Sequence, residues 1–187
     1  MSLLVGIAAR PKDGEIVSGD ATVSRQEGGR HLLAVIDGLG HSVEAHAAAA
    51  EACAYLEQVD LDRPIDRMIQ DLHERLRATR GAAALVLVVS EARVVGCGVG
   101  NVDMRTRIGR IQHMLTPGVL GARLRKPKIF EGDLGDRDRI ALFSDGIASS
   151  VDLEGSRDEA PAVAARSILA KYGRHYDDAT VLVADRE

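Results

Sequence analysis

The stretch that decides the fold is HLLAVIDGLGH, residues 31–41. Its first half, 31–36, is mostly apolar and predicts a buried β-strand. The strand ends at Asp37, which is followed at once by Gly38. A carboxylate beside a glycine at a strand end is a poor choice for packing, but it suits the oxygen coordination of Mg²⁺ and Mn²⁺. The stretch therefore predicts a buried strand that delivers one carboxylate to a site.

Two further acidic motifs stand at the ends of apolar runs. The motif SDG at 144–146 follows the run 139–143, and the pair DD at 177–178 comes directly before the run 180–184. Taken singly, each motif also fits an ordinary turn exposed to water. Adjacent carboxylates repel each other, however, and a nearby cation would relieve that cost. Together with Asp37, these motifs predict one shared acidic pocket for divalent cations.

The bulk composition favours a single globular domain over residues 1–187, with 45% hydrophobic and 28% charged residues. The 24 basic and 28 acidic residues leave a net charge of −4, so no nucleic-acid partner is expected. Only five aromatic residues occur, none of them tryptophan, which disfavours stacking on bases. No apolar run approaches the ~20 residues that a membrane span needs, so no membrane association is expected.

The cysteines and the N-terminus predict a cytoplasmic protein. Cys53 and Cys97 have no C-x-x-C partner, so we expect neither a zinc nor a redox motif and interpret both as reduced core residues. Residues 3–9 form an apolar run without a basic flank, which indicates a first strand rather than a signal peptide.

The spacing of apolar residues predicts a mixed α+β chain with strands before, between and after its helices. Short turns join most strands, which favours antiparallel sheets. We expect a four-layer α-β-β-α sandwich in which two antiparallel sheets are flanked by helices. The predicted strands span 3–9, 15–25, 31–36, 83–89, 93–99, 102–108, 139–143 and 180–184; the helices span 43–58, 64–79 and 158–172; residues 113–129 form a loop with a short strand.

The motifs together resemble one family, the metal-dependent protein phosphatases of the protein phosphatase 2C (PPM) class. Within it, the chain is most similar to the small bacterial SpoIIE-type branch and to RsbX-like phosphoserine phosphatases. The resemblance extends over about residues 5–185. Its motifs are GD at 19–20, DGLGH at 37–41, GVGNV at 98–102, SDGI at 144–147 and DDATVLV at 177–183, with support from TRGAA at 79–83 and PGVLG at 117–121.

The resemblance implies a centre of two Mn²⁺ or Mg²⁺ ions and assigns its ligands. Asp37 would bridge both ions, and the Gly38 carbonyl would be a backbone ligand. Asp145 and Asp177 would complete the first ion's protein ligands, and these three carboxylates would carry catalysis. Asp20 would act near the centre through water.

A sixth position, Asp178, falls where relatives carry Asp or Asn, which implies a place beyond the direct ligands or at a third ion. The implied reaction is hydrolysis of phosphoserine or phosphothreonine by a metal-activated water. The implied substrate is a phosphorylated regulatory protein, of the STAS-domain type, in a bacterial stress-response or partner-switching pathway.

The chain departs from the family pattern at three points. Many relatives have a histidine directly after D-G, where this chain has Leu39. His41 lies two residues further on; it would serve as the general acid, cap the next helix or simply be exposed. No arginine occurs at 15–19 to grip phosphate, and little length remains for the flap subdomain of larger relatives.

Two alternative functions remain open on the sequence. The chain can be a non-catalytic module that binds a regulator on the same scaffold, although retention of Asp37, Asp145 and Asp177 argues against a decayed site. It can also be a metal-dependent nucleotide hydrolase, although it lacks the G-x-x-x-x-G-K-[ST] phosphate loop. The sequence leaves the oligomeric state undetermined.

Overall fold

A computed structural model describes residues 2–109 and 111–187. Met1 and Arg110 lie outside the described residues. The strands are β1 Leu3–Arg10, β2 Asp20–Glu27, β3 Arg30–Gly38, β4 Ala82–Ser90, β5 Arg93–Val99, β6 Asp103–Thr106, β7 Gly118–Val119, β8 Arg123–Leu124, β9 Ile129–Asp133, β10 Arg139–Phe143 and β11 Ala179–Arg186. The helices are α1 Val43–Leu56, α2 Ile65–Arg75 and α3 Pro161–Tyr172, with 3₁₀ turns at Leu76–Ala78 and Glu154–Ser156.

Two antiparallel sheets form the centre of the described structure. One sheet has the strand order β1-β11-β10-β6, and the other has the order β2-β3-β4-β5-β9. Strands β7 and β8 form a separate small hairpin. Helices α1 and α2 cover the five-stranded sheet, and α3 covers the four-stranded sheet. The predicted α+β sandwich with layers α-β-β-α is confirmed.

Three apolar clusters separate these layers. The cluster between the two sheets includes Val35, Leu85, Leu142 and Leu182. A second lies between α1, α2 and the five-stranded sheet, and a third lies between α3 and the four-stranded sheet. Because aromatic residues are so few, aliphatic side chains and alanine fill nearly all of this volume.

The alanine-rich helix α1 lies very close to the end of strand β3. Ala45, Ala48, Ala49 and Ala52 are fully buried against the sheet, where larger side chains would hold the helix away. A Cβ atom at Gly38 would come within 2.2 Å of the Ala45 carbonyl oxygen. The glycine after Asp37 is therefore required by helix packing, whatever its part in the site.

The predicted second strand is wrong at its beginning. It starts at Asp20 rather than at residue 15, because residues 11–19 form a loop instead of a ladder. That loop is tied to another part of the chain: the backbone N–H groups of Lys12 and Gly19 donate to the two carboxylate oxygens of Asp178. The apolar Ile16 and Val17, which suggested a strand, do not pair, and Ile16 is 95% exposed.

Smaller differences concern edges and helix ends. Strand β9 was missed because it is an edge strand that pairs with β5 alone among the described residues and alternates between buried and exposed positions. Pro64 is the N-cap of α2 rather than its first helical residue. Helix α3 begins at Pro161 instead of residue 158, and the chain before it forms the 3₁₀ turn Glu154–Ser156.

Both cysteines are free, as expected from the sequence. Cys97 is fully buried and Cys53 is partly buried against the same cluster, and burial raises the pKa of each thiol to about 11. None of the helices in the described residues combines the length and apolarity that a membrane crossing would require.

The contact between β1 and α3 generates a prediction about stability. A Cβ atom at Gly6 would come within 2.2 Å of the backbone of Pro161 and Ala162. Overpacking of this kind costs about 1–3 kcal/mol, so Gly6→Ala should lower the urea midpoint clearly. Gly135→Ala is the matched control, since nothing lies within 4 Å of its Cβ; it should change stability by less than about 0.5 kcal/mol. Equal stability of the two variants would contradict the close packing of α3.

Candidate active site

The pairing of β2 with β3 places two carboxylates side by side. Asp20 and Asp37 are direct partners in the antiparallel register, near the end of both strands. Directly opposed residues project to the same face of a sheet, and like charges in that position destabilise the pair. The sequence motifs at 19–20 and 37–41 thus meet through strand register, although they are separated along the chain.

The other sheet contributes two further acidic positions at the same end of the sandwich. Asp145 follows the end of β10 and Asp177 precedes the start of β11. Because β10 and β11 are antiparallel neighbours with Phe143 opposite Val181, the chain leaves one strand where it enters the other. The motifs at 144–146 and 177–178 therefore lie together at one edge of the sheet.

Three of the sequence-predicted residues line one cavity of about 310 Å³. They are Asp37, Asp145 and Asp177, and they come from both sheets. Leu39, His41, Asn101 and Val119 are among the other lining residues. Asp20 and Asp178 do not line this cavity, but both interact electrostatically with Asp37.

The clustered carboxylates raise one another's pKa. Burial, followed by repulsion from Asp20, Asp145 and Asp177, raises the pKa of Asp37 to about 8. Burial also raises the pKa of Asp20 to about 7, even though a hydrogen bond from Ser144 opposes the shift. The pKa of Asp177 is raised as well, chiefly by burial and then by Asp145. Positive charge placed among these carboxylates would therefore stabilise their ionised forms.

Asp20 links the two sheets. The Ser144 hydroxyl donates to Asp20 Oδ2 at 2.6 Å, and the same hydroxyl oxygen accepts the Thr180 N–H at 3.1 Å. Asp20 and Ser144 are both buried. This chain of hydrogen bonds joins β2 of one sheet to β10 and β11 of the other, and so holds the two halves of the acidic site together.

Both carboxylate oxygens of Asp178 accept hydrogen bonds from the main chain and do not face the cavity. Its Oδ1 accepts the Lys12 N–H at 2.8 Å, and its Oδ2 accepts the Gly19 N–H at 2.7 Å. The side chain is buried, with 4% of the residue exposed. Asp178 thus anchors the loop of residues 11–19 next to the site.

Asn101 and Arg174 support Asp145, and the sequence reasoning assigned neither of them a role. The Asn101 side-chain amide donates to Asp145 Oδ2, and Asn101 lines the cavity. The Arg174 guanidinium donates to the Asp145 backbone carbonyl at 2.9 Å. Asn101 belongs to the motif GVGNV at 98–102, which marks it as a candidate, but no local pattern in the sequence indicates that its side chain contacts Asp145.

His41 faces the cavity but both of its ring nitrogens have partners. Its Nε2 lies 3.0 Å from the Lys12 ammonium, and its Nδ1 lies 3.2 Å from Glu15 Oε1. In the tautomer that satisfies both contacts, Nε2 accepts from the lysine and Nδ1–H donates to the glutamate. His41 does not cap helix α1: Ser42 occupies the N-cap, and its hydroxyl donates to the Glu44 carboxylate at 2.5 Å.

The donors fit a hard divalent cation by their chemistry. Carboxylate oxygens from Asp37, Asp145 and Asp177 surround one cavity, and Mg²⁺ and Mn²⁺ prefer such oxygen ligands. The raised pKa of Asp37 indicates that positive charge there would be stabilising. Within residues 2–109 and 111–187, no three acidic, histidine or cysteine side chains are already gathered closely enough to hold one ion.

Comparison with known proteins gives matches among solved structures, whereas no protein-family model and no curated protein matches the sequence. A structure from the bacterial stressosome, described as a modular system that has been adapted to control secondary messenger signaling, is 34% identical. Its TM-score is 0.92, over 98% of this chain and 100% of that one.

Two phosphatase structures share the fold at lower identity. RsbX in complex with magnesium has a TM-score of 0.86 and 19% identity, over 99% of this chain and 96% of that chain. The catalytic domain of the serine threonine protein phosphatase PstP, in complex with two manganese ions, has a TM-score of 0.75 and 20% identity. That match extends over 98% of this chain and 99% of PstP's.

The chain therefore belongs to the same family as the stressosome protein, and its fold is that of the PPM phosphatases. The predicted family fold is confirmed at this level. The predicted SpoIIE-type, RsbX-like branch is a finer assignment that stays a prediction, because the likeness to RsbX establishes the fold alone.

The acidic cluster generates a prediction about pH and stability in the absence of divalent ions. In the unfolded chain Asp37 loses its proton near pH 3.8, whereas in the folded chain it keeps it up to about pH 8. Its ionisation therefore removes stability as the pH rises through that window. Asp37→Asn cannot ionise, so in chelator at pH 8 it should be more stable than the parent chain by at least about 1 kcal/mol.

Urea unfolding with chelator at pH 8 and at pH 4 tests this prediction. The advantage of Asp37→Asn should shrink toward zero at pH 4, where the carboxyl is protonated in the folded chain. The control is Asp158→Asn, an exposed carboxylate whose variant should follow the parent at both pH values. A variant at position 37 that is less stable than the parent at pH 8 would contradict the electrostatic argument.

Proposed function

We propose that the chain is a Mn²⁺- or Mg²⁺-dependent phosphatase that hydrolyses phosphoserine or phosphothreonine on a bacterial regulatory protein. The single observation that carries the proposal is the meeting of Asp37, Asp145 and Asp177 in one cavity. Their motifs were selected on the sequence, and they converge from both sheets. Support comes from the PPM phosphatase fold and from solved neighbours that contain magnesium or manganese.

The proposed ligands are those implied by the motifs. Asp37, Asp145 and Asp177, together with the Gly38 carbonyl, would hold the ions. Asp20, which is buried against Ser144, would act through water. Asp178 would not bind an ion directly. Its carboxylate accepts hydrogen bonds from the Lys12 and Gly19 N–H groups, and it would position the loop of residues 11–19.

The ions, when bound, would activate a water for attack and offset the negative charge of the phosphoryl oxygens. The chain's own residues hold this arrangement in place. Asn101 orients the Asp145 carboxylate, and Ser144 keeps Asp20 between the sheets. With both nitrogens of His41 engaged by Lys12 and Glu15, the proton for the departing alkoxide would come from water in the cavity.

A protein rather than a metabolite is the proposed substrate. Apolar side chains project into solvent beside the cavity: Leu39, which lines it, is 51% exposed, and Val43, at the start of α1, is 70% exposed. Exposed apolar groups around a polar site are typical of a protein-binding surface. The stressosome and RsbX neighbours support a regulatory partner, and we propose a phosphorylated STAS-domain protein as its type.

Removing the central carboxylate tests the proposal. Asp37→Asn should leave the chain folded but lower phosphate release from a phosphorylated STAS protein by at least about 100-fold, because the variant lacks the central carboxylate that would hold the ions. Each tenfold loss of rate corresponds to only about 1.4 kcal/mol. The measurement is phosphate release with saturating Mn²⁺, and again with chelator, which should abolish the activity of the parent chain.

The control for this experiment is Asp158→Asn, which has the same change of charge at an exposed position. It should retain the turnover of the parent chain. Unchanged turnover by Asp37→Asn at saturating Mn²⁺ would refute the role of Asp37, and equal rates with and without chelator would refute metal dependence.

A second candidate function is a regulator-binding module without turnover. Two observations favour it: the position after D-G is Leu39, and both ring nitrogens of the nearby His41 already have partners in Lys12 and Glu15. The family relationship to a stressosome protein is compatible with either reading.

Calorimetry separates the two functions. The phosphatase should bind two divalent ions per chain, and Asp145→Asn should weaken or remove that binding. A chain that binds a STAS protein but takes up no Mn²⁺ or Mg²⁺, and that releases no phosphate, would establish the binding module and exclude the phosphatase.

A further inference from the structure

The chain has one strongly basic stretch, RLRKPK at 123–128, to which the proposed chemistry assigns no role. The surrounding residues 104–130 contain neither aspartate nor glutamate, although the chain as a whole has a net charge of −4. A short basic run of this kind also fits an ordinary solvated loop. Its partners and its position in the fold decide between a loop and a binding surface.

The four cations of this stretch, which are Arg123, Arg125, Lys126 and Lys128, have no acidic partners. All four residues are exposed, and within residues 2–109 and 111–187 no carboxylate oxygen comes within 4.0 Å of their side-chain nitrogens. The Lys128 ammonium donates to the Met114 sulfur at 2.9 Å. Glu131, the next acidic residue along the chain, is already paired with Arg93. The described part of the chain therefore leaves this positive charge uncompensated.

The basic stretch belongs to a hairpin that forms part of the wall of the acidic cavity. Gly118 and Val119, which make up β7, line that cavity. Strand β7 pairs with β8, and this register places Val119 opposite Arg123. Directly opposed residues of antiparallel strands lie about 4.5–5.5 Å apart, so the basic stretch begins one strand away from the cavity wall. A substrate held in the cavity would have these cations beside it.

The basic hairpin, residues 118–128, is attached firmly to the rest of the domain. Leu120 exchanges two backbone hydrogen bonds with Ala82 at the start of β4, at 2.9 and 3.1 Å. At the other end of the hairpin, the Lys128 N–H donates to the Thr116 hydroxyl at 2.8 Å. These contacts fix the backbone that carries the four cations relative to the acidic cavity.

We propose that the basic hairpin is a docking surface for an acidic segment that flanks the phosphoserine of the substrate protein. The inference rests on the proposed phosphatase function and adds a sequence preference to it. Charge complementarity selects this occupant, because exposed cations without acidic partners attract carboxylates and so favour encounter with the matching partner. An extended segment advances about 3.3 Å per residue. Acidic side chains about two to four residues from the phosphoserine would therefore come level with the hairpin.

Two phosphopeptides test the docking surface with the full chain and Mn²⁺. One peptide has glutamates about two to four residues from the phosphoserine on both sides, and the other has glutamines there. At low salt the glutamate peptide should have a kcat/KM about tenfold higher, mainly through a lower KM. At about 0.5 M NaCl the preference should fall to about twofold, because salt screens exposed charges. Equal kcat/KM for the two peptides at low salt would overturn the proposal.

Variants then assign the preference to the hairpin. Arg123→Gln and Arg125→Gln should each lower the preference to about threefold, and the double variant should nearly abolish it. The preference is a ratio of two peptides measured on one sample, so it does not depend on how much of a variant folds. The matched control is Arg166→Gln, which removes an exposed arginine from α3 on the other sheet and should keep the full preference. A full preference in the double variant would exclude the hairpin as the docking surface.

Failure of the docking surface and failure of the phosphatase can be told apart. Absence of phosphate release from p-nitrophenyl phosphate and from both peptides refutes the proposed function. The docking surface is then judged by fluorescence anisotropy with a labelled, unphosphorylated glutamate peptide. Weaker binding by the double variant of Arg123 and Arg125 than by the parent chain supports the surface, and equal binding overturns it.

Discussion

The structure depends on one electrostatic constraint: several carboxylates, one buried and three partly buried, lie together at one end of two stacked sheets. Asp20 and Asp37 oppose each other across β2 and β3, and Asp145 and Asp177 approach from the other sheet. Their burial and mutual repulsion raise the pKa of Asp37 to about 8. Such a cluster costs free energy in a chain that is otherwise filled by aliphatic side chains, and the cost is offset if positive charge occupies the space between them.

The rest of the fold holds these groups in position despite their repulsion. Strand register fixes Asp20 beside Asp37, and the hydrogen bonds from Ser144 to Asp20 and from Thr180 to Ser144 join the two sheets. Helix α1 packs so closely on the end of β3 that only glycine fits at position 38. The strand ladders and the packing of α1 that stabilise the core therefore also keep the acidic site assembled.

Much of the site was predictable because its chemistry is local in sequence. Carboxylates at the ends of apolar runs identify the three residues without any knowledge of contacts: Asp37 and Asp145 each stand beside a glycine, and Asp177 stands beside a second carboxylate. The structure brings all three to one cavity. Asn101 was not predicted, because its bond to Asp145 crosses 44 residues of chain. The contacts of His41 with Lys12 and Glu15 were equally invisible, since they depend on where the 11–19 loop folds back.

The sequence by itself determined the order of the helices and of the strands other than β9, the preference for antiparallel pairing and the three acidic motifs, because apolar periodicity and the residues at strand ends are local properties of the chain. Only the tertiary structure decided that residues 11–19 form a loop, that Asp178 anchors it, and that β6 and β9 are sheet edges. It also placed a separate cavity beside β6. These features arise from side chains and strands far apart in sequence, whose meeting is set by the packing of two sheets and not by local preference.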